Sequence, residues 1–488
     1  MKVAFRVDAT TAIGLGHLKR CISLANAIND LNGATIFIWR KHDYDCAGLL
    51  ESCGQLHISI VFEEDGGFAC DVHQTVDALA QFAPDWIVVD HYGLDEQWHN
   101  QIVQALDCRI AVIDDLADRG LGCDLLIDQN LNPANVTRYQ SKIPSGAKML
   151  LGPRFALLDK SYASAERYDF RDDVQSIGIF MGGTDPGNHS IMVLDALEAI
   201  PFTGPIEIVS TSGNPALCEL SARISHRPKT TLSLNLPNLA AFFASHDLQI
   251  GSGGGAIWER CCIGAPTFAL IVADNQNATV PILSGLGIVA SLGDQTAPPD
   301  SLAAAITDVI DSTATRRLLA DSSKRIVDGL GAKRVAVALM KTGLALRPAV
   351  EGDSTLAYEW RNHPSTRSVS RSSDAINWSD HEFWFAKTLE SNARKLFVGE
   401  IGNVTIGFIR LDECNEDNFE VSLYLDPELH GLGLGKNLLL LVEAEAASKL
   451  IINAEILDGN AASSRLFHSA GYAQYDKNRW RKVLKRQK

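Results

Sequence analysis

The 488 residues exceed what one ordinary globular core holds, so two or three domains are expected. A composition of 46% hydrophobic and 21% charged residues is that of a soluble globular chain, not a disordered or fibrous one. The formal net charge of −15 excludes the positive field of a nonspecific nucleic-acid binder, and there is no apolar run long enough to span a membrane. Residues 346–488 hold 18 basic and 20 acidic side chains, so most of the negative charge belongs to residues 1–345. The ten cysteines form no CxxC pair, and nothing near Cys261-Cys262 completes a zinc site. Met1–Asp8 carries charges where an export signal needs an apolar stretch, so a cytoplasmic protein with reduced thiols is expected.

The first 345 residues alternate strand and helix patterns. Val3–Val7 reads as a strand, followed by a Gly-containing loop and an amphipathic helix from about His17 to Leu31. Ala34–Trp39, Trp86–Asp90 and Ile110–Asp114 are apolar runs, the last two ending in an acid, as suits buried parallel strands. The pattern restarts near residue 176. Ser176–Met181 is expected as a strand, with a turn at Gly182-Gly183-Thr184-Asp185 and a helix from about Asn188. Ile206–Ser210, Leu248–Gly251 and Thr267–Val272 read as further strands, with helices at Leu239–Ala244 and Ile257–Cys262. This predicts two α/β lobes, 1–153 and 154–345. The texture then changes. A helix at Ser354–Asn362 precedes strands at Leu396–Glu400, Val404–Asp412 and Phe419–Leu425. A long helix (Gly435–Ser448), a strand (Ile451–Ile456) and a last helix follow, making an α+β domain over 346–488. The basic tail (Lys477, Arg479, Arg481, Lys482, Lys485, Arg486, Lys488) reads as a solvated terminus.

Three segments of residues 1–345 carry chemistry. Ile13–Cys21 follows a strand and opens a helix. Gly14 and Gly16 let a ligand approach the backbone, and the helix start disfavours the charged form of His17, as a general base requires. A capping histidine on an ordinary βα loop would look the same. Gly251–Gly255 also precedes a helix. Gly253 and Gly254 suit a diphosphate, and Glu259 lies one turn further, placed to accept from ribose hydroxyls. The spacing matches neither a P-loop nor GxGxxG, which disfavours ATP hydrolysis and NAD binding. Asp274-Asn275-Gln276 places amides after a strand, suited to sugar hydroxyls or phosphate oxygens, or to nothing beyond a polar loop. Asp8 is a secondary candidate at a strand end.

In motif order, Val3–Arg20, Gly182–Asp185, Gly251–Glu259 and Asp274–Gln276 resemble the UDP-sugar hydrolases of pseudaminic acid biosynthesis. These belong with the two-lobed glycosyltransferases of the type that builds peptidoglycan's lipid-linked disaccharide. The resemblance covers about residues 1–340 and implies a GT-B fold of two Rossmann-like lobes, with UDP held mainly by the second. It implies hydrolytic release of UDP from UDP-2,4-diacetamido-2,4,6-trideoxy-β-L-altropyranose. By it, His17 is the catalytic residue, Glu259 binds ribose, and Asn275 sits near the diphosphate or sugar. Tyr92 lies in the cleft, and Gly183 and Gln276 belong to the substrate site. No metal cluster is visible, and metal-free catalysis is expected, since UDP leaves readily and one base suffices to activate water.

In the last domain Glu420–Pro427 leads into His430-Gly431-Leu432-Gly433-Leu434-Gly435-Lys436, a strand, Gly-rich turn and helix. Residues 346–485 resemble the GNAT N-acetyltransferases, of the branch acting on amino sugars attached to UDP, through Leu346-Arg347-Pro348 and Glu359–Pro364. The family's pyrophosphate loop, Arg/Gln-x-x-Gly-x-Gly/Ala, has His430 at its first position. The resemblance implies acetyl-CoA contacts at Leu425, Gly431, Gly433, Gly435, Lys436 and Asn460. Glu420 is the candidate base, acting through water, although an ordinary strand carboxylate would look alike. Relatives place a general-acid Tyr where this chain has Phe467, so Tyr424 or another group replaces it, or the thiolate leaves unaided.

The expectation is a bifunctional enzyme taking acetyl-CoA and a UDP-amino sugar. It acetylates the 4-amino group of a UDP-4-amino-4,6-dideoxy sugar, then hydrolyses UDP from the product. Two alternatives stand: a GT-B glycosyltransferase with a UDP-sugar donor, and a C-terminal domain that only senses acetyl-CoA or acts as a scaffold. Oligomeric state has no sequence signature here.

Overall fold

The computed structural model describes residues 1–10, 14–42, 45–61, 67–416, 418–446 and 451–484. Ile13 of the first loop, Ser448 of the expected long helix, and Lys485, Arg486 and Lys488 of the tail lie outside the described residues. The chain divides into two compact units, Met1–Ala336 and Val337–Lys488. The division falls within the helix Gly331–Met340 rather than between residues 345 and 346.

The first unit contains two parallel sheets. One is built from β1 (Lys2–Val7), β2 (Ala34–Arg40), β3 (His57–Ile60), β4 (Trp86–Asp90), β5 (Arg109–Ile113), β6 (Leu125–Asp128) and β7 (Lys148–Leu151). Their order is β3-β2-β1-β4-β5-β6-β7. Strands β4 and β6 are buried along their whole length, and β1 from Val3 onward. That is why they read as continuous apolar runs and not as alternating ones. Ile38, Ile87, Val89, Trp98, Ile102 and Ile110 share a core on one side. The second sheet comprises β8 (Ile177–Phe180), β9 (Ile206–Ser210), β10 (Thr230–Leu234), β11 (Leu248–Ser252), β12 (Thr267–Ile271) and β13 (Ala290–Asp294). Its order is β10-β9-β8-β11-β12-β13. Each sheet therefore reverses direction once, between β1 and β4 and between β8 and β11. In doubly wound sheets the ligand crevice lies beyond the carboxyl ends of the strands at such a reversal. Four of the segments singled out in the sequence lie at these strands: Gly14–His17 after β1, Asp90–Gly93 at β4, Gly182–Asp185 after β8 and Gly253–Gly255 after β11; Asp274–Gln276 follows β12.

The second unit is a mixed sheet of β14 (Leu344–Pro348), β15 (Arg394–Ile401), β16 (Val404–Asn415), β17 (Asn418–Leu425), β18 (Ile451–Glu455), β19 (Ala473–Asp476) and β20 (Arg479–Val483). The order is β14-β15-β16-β17-β18-β20-β19, antiparallel except for β17 against β18. Those two strands pair only at Asn418–Glu420 with Ile451–Asn453, and β17 continues to Leu425 without that partner. A helix at Leu434–Glu445 follows the Gly-rich turn. The helix Trp378–Glu390, absent from the sequence reading, packs on this sheet through Phe385 beside Leu396, Val398 and Phe408. The tail expectation is corrected. Arg479, Arg481 and Lys482 lie in β20, paired with β18, and Lys482 bonds Glu443 at 2.6 Å.

Candidate active sites

His17 sits in the first turn of the helix Gly16–Asp30, whose N-terminus has no side-chain cap. Gly14, at φ +77°, makes the preceding turn. The pairing of β1 beside β4 brings Asp90 under this turn. His17 Nδ1 lies 2.6 Å from Asp90 Oδ1. An ionised carboxylate only accepts, so this contact puts a proton on Nδ1, from which Arg20 Nη2 also lies 3.1 Å away; a neutral ring so protonated carries its lone pair on Nε2. Arg20, one turn along the helix, donates to both Asp90 oxygens, at 2.6 and 2.5 Å. Burial alone would raise the Asp90 carboxyl, but Arg20 and His17 outweigh it and hold the group well below the usual carboxylate range. Asp90 is thus a fixed anion that orients the imidazole, as the carboxylate of a His–carboxylate pair does.

The Tyr92 ring stands perpendicular to His17, with centroids 4.9 Å apart. Its hydroxyl donates to Asp115 Oδ1 at 2.8 Å and accepts from Asn275 Nδ2 at 3.2 Å. Asn275 also reaches Asp115 Oδ2 at 3.4 Å, so the second lobe meets the first beside His17. Burial and Asp115 push the Tyr92 phenol above its ordinary value, which keeps it protonated. His17, Tyr92 and Asn275 are therefore brought together. Asp90, Arg20 and Asp115 complete the arrangement and were not among the candidates read from the sequence. Asp8 is engaged elsewhere, by Arg6 at 2.5 Å, the Arg40 N–H at 2.7 Å and His91 at 3.2 Å.

In the second lobe the loop after β11 opens the helix Ala256–Ile263. Gly253 serves packing: a Cβ there would lie 2.3 Å from Val280, and its N–H already donates to Leu270 O and Gln276 Oε1. Gln276 Oε1 also accepts from the Val272 N–H at 3.0 Å, so this side chain ties two loops together, while Asn275 faces the first lobe. Gly254 and Gly255 leave the outer face of the loop without side chains. Burial raises the Glu259 carboxyl, and Lys19, the Tyr162 hydroxyl and Arg260 counter this only in part. Gly183 lies against Thr211 and Leu15, and its carbonyl accepts from Thr211 Oγ1 at 2.7 Å.

In the second unit Glu420 is the last residue of β17 paired with β18, where the two strands part. Its carboxylate is held by Arg371 at 2.9 Å and Arg479 at 3.3 Å, and Arg371 also pairs with Glu455. Beyond Leu425, Gly431 and Gly433 turn the chain at φ +85° and +80° into the helix Leu434–Glu445, which has no side-chain cap at its N-terminus. Among the described residues no group of three or more His, Cys, Asp or Glu is arranged to hold a metal, and no helix is long and apolar enough to cross a membrane.

Residues 355–472 match the model of the acetyltransferase (GNAT) family. The second unit carries a GNAT domain. Outside it, the chain is 25% identical over 287 residues to UDP-2,4-diacetamido-2,4,6-trideoxy-beta-L-altropyranose hydrolase of Campylobacter jejuni, covering 59% of this chain and 97% of that protein. An uncharacterised protein of Methanocaldococcus jannaschii is 21% identical and is matched over 98% of both chains, so it shares the whole arrangement. Among solved structures, MnaA of S. aureus with UDP superimposes with a TM-score of 0.52 at 12% identity, over 70% of this chain and 96% of that one. This likeness shows the fold: the first unit is of the two-lobed GT-B type.

Within the GNAT domain the expected cofactor residues divide by what they do locally. Gly431 and Gly433 supply the backbone turn, and Lys436 is exposed on the first turn of the helix. Gly435 permits close packing, since a Cβ would come 2.9 Å from Leu466. Asn460 caps the last helix, accepting from the Ser463 N–H at 3.0 Å. Leu425 ends β17 opposite Gly407. Phe467 is buried against Tyr472. Tyr424 stacks on Phe408, and its hydroxyl lies 3.4 Å from Ala357 O.

Proposed function

We propose that the chain carries out two consecutive reactions on a UDP-linked amino sugar. The GNAT domain transfers acetyl from acetyl-CoA to the 4-amino group of a UDP-4-amino-4,6-dideoxy sugar. The GT-B unit then hydrolyses UDP from UDP-2,4-diacetamido-2,4,6-trideoxy-β-L-altropyranose, the activity named for the C. jejuni relative, which this reading places in pseudaminic acid biosynthesis. The observation that carries the reading is His17 oriented by Asp90 at the β1/β4 reversal, with the neighbouring Tyr92 bonded to Asn275 from the second lobe.

In this mechanism His17 Nε2 takes a proton from water as the water oxygen bonds to the anomeric carbon. The bond from that carbon to the diphosphate oxygen breaks, and UDP leaves with the electron pair. The imidazolium so formed is stabilised by Asp90. Tyr92 and Asn275 position the sugar. Glu259 takes ribose hydroxyls, and the 251–256 loop takes the diphosphate. In the GNAT domain the backbone turn at Gly431–Gly433 holds the cofactor pyrophosphate. Glu420 receives the ammonium proton through water once the substrate displaces part of its arginine contacts. The protein has a cytoplasmic location in this reading.

The test is incubation with acetyl-CoA and the UDP-4-amino sugar, followed by mass spectrometry and thiol detection. Expected products are coenzyme A, a 4-acetamido UDP-sugar, then free diacetamido sugar and UDP. Release of UDP only when an acceptor sugar is added would make the GT-B unit a glycosyltransferase. Absence of free thiol would reduce the GNAT domain to a sensor or scaffold.

A further inference from the structure

Arg260 lies on the helix Ala256–Ile263, beneath the Gly-rich loop, and is fully buried. Helical side chains lean toward the N-terminus, which carries this guanidinium back under the loop. Nη2 donates to the Ser252 carbonyl. Nη1 fills the space a Cβ of Gly251 would occupy, 2.1 Å away. Nε and Nη1 have no hydrogen-bond partner. Among the described residues no carboxylate forms an ion pair with it; Cys261, the Glu259 carboxyl and Tyr162 act on it electrostatically, and the Phe243 ring lies 5.9 Å away. Burial brings the guanidinium down to about 10, which still leaves it charged at neutral pH.

An uncompensated buried cation is costly, and a neutral donor would pin Ser252 equally well. Glu259 offsets part of this charge without an ion pair, and Nε and Nη1 remain unpartnered, so an anion arriving from outside is still favoured. The 251–255 segment that precedes this helix reads Gly-Ser-Gly-Gly-Gly, so four of its five residues have no side chain. An anion held at that segment would meet mainly backbone there. The unpaired cation is a second feature, independent of the helix N-terminus, that points to the same ligand charge.

We propose that Arg260 is a positioning residue that holds the 251–256 loop and supplies, from beneath it, the positive charge that selects a diphosphate-bearing nucleotide over its uncharged nucleoside. The proposal rests on the nucleotide-sugar reading above. It assigns the selectivity to a side chain that never touches the ligand. Coulombic attraction in a poorly solvated site extends over several ångströms, so direct contact is not required.

Calorimetric titration of the full-length protein with UDP and with uridine tests this. Arg260→Met should weaken UDP binding about tenfold or more while changing uridine binding by less than about twofold. Arg260→Lys should recover most of the UDP affinity. If the Met variant does not fold, as judged by circular dichroism, Arg260→Gln keeps a donor to Ser252 without the charge and carries the same comparison. Equal weakening of UDP and uridine, unchanged UDP binding, or no recovery with lysine overturns the proposal. Wild-type protein that binds no UDP overturns the nucleotide reading itself.

Discussion

His17 and Asp90 form the pair on which the hydrolytic chemistry turns, and two substitutions separate their roles. His17→Ala removes the proton acceptor, so UDP release should fall by about a hundredfold or more while acetyl transfer stays intact, as read by UDP detection and thiol release in parallel. Asp90→Asn keeps the shape but lets the amide donate to Nδ1, which moves the ring proton to Nε2. Hydrolysis should then fall about as far with KM little changed, measured by steady-state kinetics on the purified UDP-sugar. His17 and Asn275 drew attention in the sequence because each sits in a motif or polar loop after a strand, and Tyr92 only through the family resemblance; the fold places the three near one another. Asp90 stood out only as an acid ending an apolar run. Its partnership with His17, 73 residues away along the chain, depends on β4 lying beside β1, and no local pattern encodes that neighbour. Arg20 lay within the motif but pointed to no role until its carboxylate was in view. Gln276 shows the reverse: its amide looked like a ligand group, yet its oxygen is spent on the Gly253 and Val272 backbones.

Strands with continuous apolar runs were readable as elements, and Trp86–Asp90 and Ile206–Ser210 have the bounds their patterns suggested. The polar strands β19 and β20 were not, since Arg479–Val483 alternates charge with apolar residues and resembles a solvated tail until β18 supplies its partner. The carboxyl ends of the buried strands also carry a titration. Asp128, at the end of β6, accepts from the Asn130 N–H at 2.9 Å and lies 3.3 Å from the Tyr139 hydroxyl, which reaches Asp114 at 3.0 Å. Burial raises the Asp128 carboxyl to about 7, from 3.8 in an open chain, with only partial relief from the Asn130 N–H and Arg138. Between those values the folded protein binds a proton that the unfolded chain has lost, so this group makes stability decline as pH rises through the window. Asp128→Asn cannot ionise and keeps an acceptor for Asn130. It should be close to neutral at pH 4 and stabilise the protein at pH 8 by roughly 2–4 kcal/mol, checked by urea denaturation at the two pH values. The opposite trend would mean that Asp128 is ionised and paired.

At the scale of the whole molecule, a chain with net charge −15 is proposed to hold an anionic nucleotide, so its overall field opposes the ligand. Binding must come from local groups: open helix N-termini after β11 and before Leu434, backbone turns at glycine, and the buried Arg260 charge. These are short-range, so the affinity of each unit for its ligand should depend little on the other unit. All the residues assigned to hydrolysis lie in Met1–Ala336, and all those assigned to acetyl transfer lie in Val337–Lys488. In the proposed sequence the intermediate is a UDP-linked diacetamido sugar that the second reaction takes up as a free species. Two full-length variants, each disabled in one unit, should therefore complement one another in solution. Gly433→Val forces a β-branched residue into φ +80° at the turn before the GNAT helix and should abolish acetyl transfer without touching hydrolysis. Mixed with His17→Ala, and supplied with acetyl-CoA and the UDP-4-amino sugar, it should restore free diacetamido sugar that neither variant makes alone. Mass spectrometry of the mixture against each variant measures this. Failure of the mixture, with each remaining single activity intact, would mean that the intermediate does not leave the chain that makes it.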